Sequence, residues 1–128
     1  MISAIYASLS AFLISWLSLN VIKTRRRNKI RYGDGGNEEL QIAKAAHSNA
    51  CEYIPIALLL LFALEYNKAS IWVIHSLGVT FIVGRLIHAR GLLSENLKGR
   101  ALGMQITIFT IISLAIFNFI YLPWGGLE

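Results

Sequence analysis

The chain is 128 residues long, 55% hydrophobic and only 15% charged. That is far below the roughly 25% charged residues of a soluble domain, and it leaves room for one membrane domain at most. The net charge of +5 does not indicate nucleic acid, because the basic residues fall in the gaps between long apolar blocks, the topology signal of membrane proteins. Cys51 is the single cysteine, so no internal disulfide can form.

Taken in order, the first block is Ile2–Ile22, uncharged and about 21 residues long, enough to cross a hydrocarbon core near 30 Å thick. A cleavable signal peptide would carry its positive charge before the apolar core. Here Lys23, Arg25, Arg26, Arg27, Lys29 and Arg31 follow it, which predicts a retained helix over 2–22. The loop Lys23–Glu39 contains the breaker cluster Tyr32-Gly33-Asp34-Gly35-Gly36-Asn37. Asn37 is placed to N-cap a second helix, with Glu38 and Glu39 at the positive end of its dipole. That helix is predicted over 38–65, with Pro55 inside it. A third is predicted over 70–90 and a fourth over 100–122, closed by Pro123, Trp124 and two glycines. The fold class is therefore all-α, an integral four-helix bundle forming a single domain over 1–128. Seven basic residues lie between Lys23 and Lys44 and four between Arg85 and Arg100, against Lys68 alone on the other side. Positive-inside weighting puts both termini outside, in the periplasm of a bacterial inner membrane. The run Arg25–Arg31 is read first as a topology determinant that would also touch anionic lipid.

Lys44, His47, Asn49 and Glu52 all fall at the edge of the second span, where charge is costly; an Asp or Lys at a helix centre costs roughly 2.5–3.5 kcal/mol on insertion scales. Asn49 and Glu52 are three apart, as are Arg85 and His88 in the third helix, and Arg100 opens the fourth. All share one membrane depth. They predict either a polar pocket between helices, open to the cytoplasm, or simply a buried Glu52–Arg85 ion pair. His47 and His88 have no Cys or Asp neighbour at ligand spacing and are not read as a metal site. His75 and Cys51 are read as packed residues. Gly99 and Gly103 have the spacing that lets helices approach closely.

Asn49-x-x-Glu52-Tyr53-x-Pro55, after the loop with Gly33-Asp34-Gly35-Gly36, resembles the MAPEG family, the membrane-associated proteins of eicosanoid and glutathione metabolism. So does Gly84-Arg85-x-x-His88 followed by a short loop, Arg100 and a fourth helix. The resemblance covers almost the whole chain and is closest to the small bacterial inner-membrane branch. It implies a homotrimer that binds glutathione as co-substrate between subunits near the cytoplasmic face. The implied activity is a transferase or peroxidase-like reaction on lipophilic electrophiles or lipid hydroperoxides. By the same resemblance Asn49, Glu52, Tyr53, Arg85 and His88 hold glutathione, and Arg100 lowers the thiol pKa. A cation beside a thiol favours the thiolate on physical grounds too.

Two positions depart from the pattern. Ala45 stands where relatives often carry an Arg, leaving the adjacent Lys44 as a substitute cation, and Leu92 stands where a tyrosine is expected. They support a second reading, a non-catalytic protein of the same fold that binds a lipid, an anionic metabolite or a partner protein. A transporter or channel ranks below both, because the polar residues cluster at one end of the membrane rather than lining a path across it.

Overall fold

The computed structural model describes residues 1–126. Four helices follow one another, α1 (Ser3–Asn28), α2 (Glu38–Tyr66), α3 (Ile71–Leu93) and α4 (Leu97–Tyr121), and a single 3-10 turn at Trp124–Gly126 closes the described chain. All four are long and apolar enough to cross a membrane, and among the described residues there is no strand.

Helix α1 does not stop at Ile22. It continues through the basic stretch to Asn28, with Arg25, Arg26 and Arg27 in its last turn. Arg and Lys are good helix formers, and cations are favoured at the negative end of the helix dipole. The turn comes only at Lys29, which adopts a left-handed conformation (φ 55°) and returns backbone bonds to the helix. Helix α3 likewise runs past Arg90 to Leu93, and α4 starts earlier than expected because Asn96 caps it by accepting from the Gly99 N–H at 3.2 Å. The predicted cap of α2 is present: the Asn37 side chain accepts from the Leu40 N–H at 2.9 Å.

The interior interleaves large side chains such as Leu13, Leu17, Leu61, Phe81 and Leu114 with small ones on α2, and the exterior is large and apolar. Ala43, Ala46, Ala50 and Ala57 of α2 are buried, while Phe12, Trp16, Leu59, Trp72, Phe109 and Phe119 point outward. In lipid there is little hydrophobic gain from packing helices together, so small interfacial residues that permit close van der Waals approach do most of the work. Helix α2 touches the other three, and α3–α4 is the tightest pair. The helices alternate in direction. The start of α1 meets Glu65 at the end of α2, and the Ser70 N–H ahead of α3 donates to Tyr121 at the end of α4. One end of the bundle thus holds the chain's N-terminus and the end of α4. The opposite end holds the basic turn, Lys44 and the α3–α4 turn.

Candidate functional site

Three glycines bring α3 against α4 at the basic end. A Cβ on Gly103 would lie 2.2 Å from the His88 backbone nitrogen, and one on Gly91 would lie 2.3 Å from the Arg100 nitrogen. A Cβ on Gly84 would meet Ile106 at 2.7 Å. No side chain fits at the first two places without backbone movement. Gly99, the other member of the predicted close-approach motif, would have only ordinary contacts, at 3.5 Å. The seam therefore depends on Gly103 and on the α3 pair Gly84 and Gly91, two turns apart on one face. That seven-residue spacing was the sequence signal for the seam.

Close packing puts α4 polar groups within reach of α3 side chains. Arg85 is almost fully buried, at 1% exposure. Its Nη2 donates to Asn49 Oδ1 of α2 at 2.5 Å, and its Nη1 lies 3.5 Å from Thr107 Oγ1 of α4. The guanidinium carbon sits 5.6 Å from the centroid of the Tyr53 ring, a cation–π arrangement. Thr107 donates its own proton to the Gly103 carbonyl at 2.8 Å, so its lone pair is free to receive Arg85. Arg85 Nε has no partner among the described residues.

His88, one turn on, is also buried. Its Nδ1 is 2.9 Å from the Arg100 backbone carbonyl, which can only accept, so the proton is on Nδ1. Nε2 is left as an acceptor with no partner. A buried polar atom without a partner costs about 1–3 kcal/mol, and this end carries two.

The structure thus joins Asn49, Tyr53 and Arg85 in one cluster and links His88 to the Arg100 backbone. It does not form a Glu52–Arg85 ion pair. Glu52 is exposed, and Asn49 takes the guanidinium instead. Residues three apart on a helix differ by about 60° in direction, enough for one to face a neighbouring helix and the other to face outward. The Arg100 side chain is also exposed. Lys44 is half-buried and points about 140° from Asn49, on the flank where His47 Nε2 lies 3.8 Å from Cys51 Sγ. The α2 residues thus fall on two flanks. Thr107 escaped the sequence reading; its signal was a hydroxyl one turn after Gly103 inside an apolar run.

Two clefts open beside the α3–α4 turn. One, of about 240 Å³, is lined by Arg100, Gly91, Leu92, Asn96 and Glu38 among others. Leu92 is an apolar wall there. The larger, about 530 Å³, lies between α1, α2 and the α3–α4 turn and is lined by Thr24, Arg27, Glu38, Glu39 and Glu95 among others. Arg85 lines neither. Arg27 forms an ion pair with Glu39 in the larger cleft. In the loop above, the Gly36 backbone N–H holds the Asp34 carboxyl below the usual carboxylate range, with Lys44 and Arg25 adding to the effect.

The MAPEG family model matches residues 3–120. The chain belongs to the MAPEG family. It is similar to the inner membrane protein YecN of Escherichia coli K12, 40% identical over 124 residues, which span 97% of this chain and 95% of that protein. The same protein from the O6:H1 strain of E. coli matches equally. This MAPEG chain is therefore a membrane protein of four spans, and its relative is named by location alone.

Proposed function

We propose that this MAPEG protein is a membrane-bound glutathione transferase or peroxidase-like enzyme. It would join glutathione to lipophilic electrophiles or reduce lipid hydroperoxides. The observation that carries the reading is the buried Arg85 guanidinium. It is held on two sides by Asn49 and Thr107, keeps its Nε–H without a partner among the described residues, and lies at the same end as the exposed charges of Arg100 and Glu52 and the half-buried Lys44. A tripeptide with two carboxylates, one ammonium and a thiol matches that set in number and sign. The Arg85 Nε–H would take a carboxylate as the half-exposed Tyr53 moves aside, and Glu52 would take the α-ammonium. His88, with its proton fixed on Nδ1, offers Nε2 to a donor. Arg100 would hold the sulfur as thiolate through its own charge and the start of the α4 dipole. Glu52 and Arg100 lie on the outside of the lone chain, which supports a site completed by a second copy in a homotrimer. The electrophile would reach the sulfur from the bilayer. The distribution of basic residues supports a cytoplasmic site and periplasmic termini.

The second reading is a non-catalytic protein that binds a lipid, an anionic metabolite or a partner protein through the same end. Buried Leu92 and exposed Ala45 favour it, since neither can anchor a carboxylate. The two are separated by calorimetric titration of glutathione into the purified protein and into Ala45→Arg. The enzyme reading expects saturable binding that tightens in the variant, together with turnover of an aryl halide or a lipid hydroperoxide. Absence of binding in both proteins at millimolar glutathione would overturn it.

A further inference from the structure

The basic stretch Lys23–Arg31, which ends α1 and turns into the loop, is more than a scatter of charges. Of its six cations, two are engaged by the protein itself. Arg25 Nη1 donates to the Gly33 carbonyl at 2.6 Å, and Arg27 pairs with Glu39. Arg26, Lys29 and Arg31 are exposed and, with Arg25 and Ile30, line an open cleft of about 350 Å³ that has no acid in its wall. The loop's acids lie outside the wall: Asp34 accepts from the Gly36 N–H at 2.9 Å and acts on the cleft only through its charge near Arg25, and Glu39 faces Arg27. The cleft is held in shape by the backbone. Lys29 and Ile30 return their N–H groups to the Arg26 and Arg25 carbonyls at 3.3 and 3.0 Å, and Ile30 packs beneath Gly35.

Its depth is also defined. The uncharged stretch Ile2–Ile22 spans about 31 Å at 1.5 Å per residue, the thickness of the hydrocarbon core. Arg25 to Arg31 therefore begin within one helical turn of the hydrocarbon boundary, at the level of lipid phosphates. We infer that this cleft is a binding site for the headgroup of an anionic phospholipid, with Arg26, Lys29 and Arg31 as its phosphate ligands. Charge and depth together select the ligand: a soluble phosphate satisfies the charge, but only a membrane lipid presents its phosphate at this level beside an apolar Ile30. The site is separate from the Arg85 cluster and does not depend on glutathione binding.

The test is native mass spectrometry of the whole protein in neutral detergent, titrated with phosphatidylglycerol or phosphatidylcholine. Wild type should retain one phosphatidylglycerol in preference to phosphatidylcholine. The triple variant R26Q/K29Q/R31Q should weaken that binding at least roughly tenfold, whereas K23Q/R90Q/K98Q, which removes as many charges outside the cleft, should change it less than twofold. Charge-keeping R26K/R31K should retain the lipid, which guards against a folding artefact. Equal losses in the two triple variants would overturn the inference in favour of diffuse charge attraction. Displacement of the lipid by 10 mM inorganic phosphate would overturn it in favour of a soluble phosphate ligand.

Discussion

The two ends of the bundle both hold polar groups, and they use them differently. At the end that carries the N-terminus, the partners are internal apart from Ser10 Oγ, which is buried in the N-terminal half of α1 without a partner among the described residues. The Glu65 carboxylate accepts from the Ile2 and Ser3 N–H groups and so caps α1, and the Tyr6 hydroxyl lies 2.6 Å from His75 Nδ1 and 3.3 Å from the His75 carbonyl. Asn118 donates to the carbonyls of Leu60 and Leu114. At the basic end Arg85 Nε and His88 Nε2 are buried without partners, and Glu52 and Arg100 extend outward without any. The first end is a clasp that fixes helix positions. The second has spare hydrogen-bonding capacity at a cost in stability, as the proposed glutathione site requires.

Substitutions can break or sharpen this contrast. The largest effect is expected at the Arg85 cluster. Asn49→Ala removes one partner of a buried cation and should lower stability by about 3 kcal/mol. Adding Arg85→Leu should restore most of that loss while leaving the protein unable to bind glutathione. Denaturation in detergent of wild type, Asn49→Ala, Arg85→Leu and the double variant reads the coupling; strictly additive losses would show that the pair does not interact. Next comes the seam. Gly103→Ala forces a Cβ into the His88 backbone and should cost about 2–3 kcal/mol, whereas Gly99→Ala, with ordinary contacts only, should be neutral or slightly stabilising. Thermal midpoints of the two variants test this directly.

At the clasp, Tyr6→Phe should cost about 1 kcal/mol and leave glutathione binding unchanged. A loss of binding there would blur the distinction between the ends. The smallest effect is expected at Asp34. Its pKa is depressed in the folded protein, so its contribution is present above the unfolded carboxylate pKa of 3.8 and fades as pH falls through the lower folded value. Asp34→Asn should therefore narrow the drop in thermal midpoint between pH 5 and pH 3 and change little at pH 7.

Much of the fold was legible in the sequence. Four long apolar blocks gave four helices, and Asn37 capped α2 as its position before Glu38 and Glu39 implied. The length of α1 was misjudged because charge was taken as the end of the helix, whereas Lys and Arg continue a helix well once it has left hydrocarbon. The candidate site was legible in part. Spacing placed Arg85 and His88 on one face and drew attention to Asn49. It could not say whether Asn49 or Glu52 would reach Arg85, because that depends on how α2 is rotated against α3 and α4. The rotation is set by how the buried face of α2, with Ala43, Ala46, Ala50 and Ala57, packs against the other three helices. Thr107 was hidden for the same reason: its partner lies on another helix.

The most direct test of the central claim is the ultraviolet absorbance of the glutathione thiolate, titrated onto the purified protein at neutral pH. The account predicts saturable thiolate formation in wild type and in Tyr6→Phe, and its loss in Arg100→Ala. Saturable thiolate formation that survives in Arg100→Ala, or none in wild type at millimolar glutathione, would contradict it.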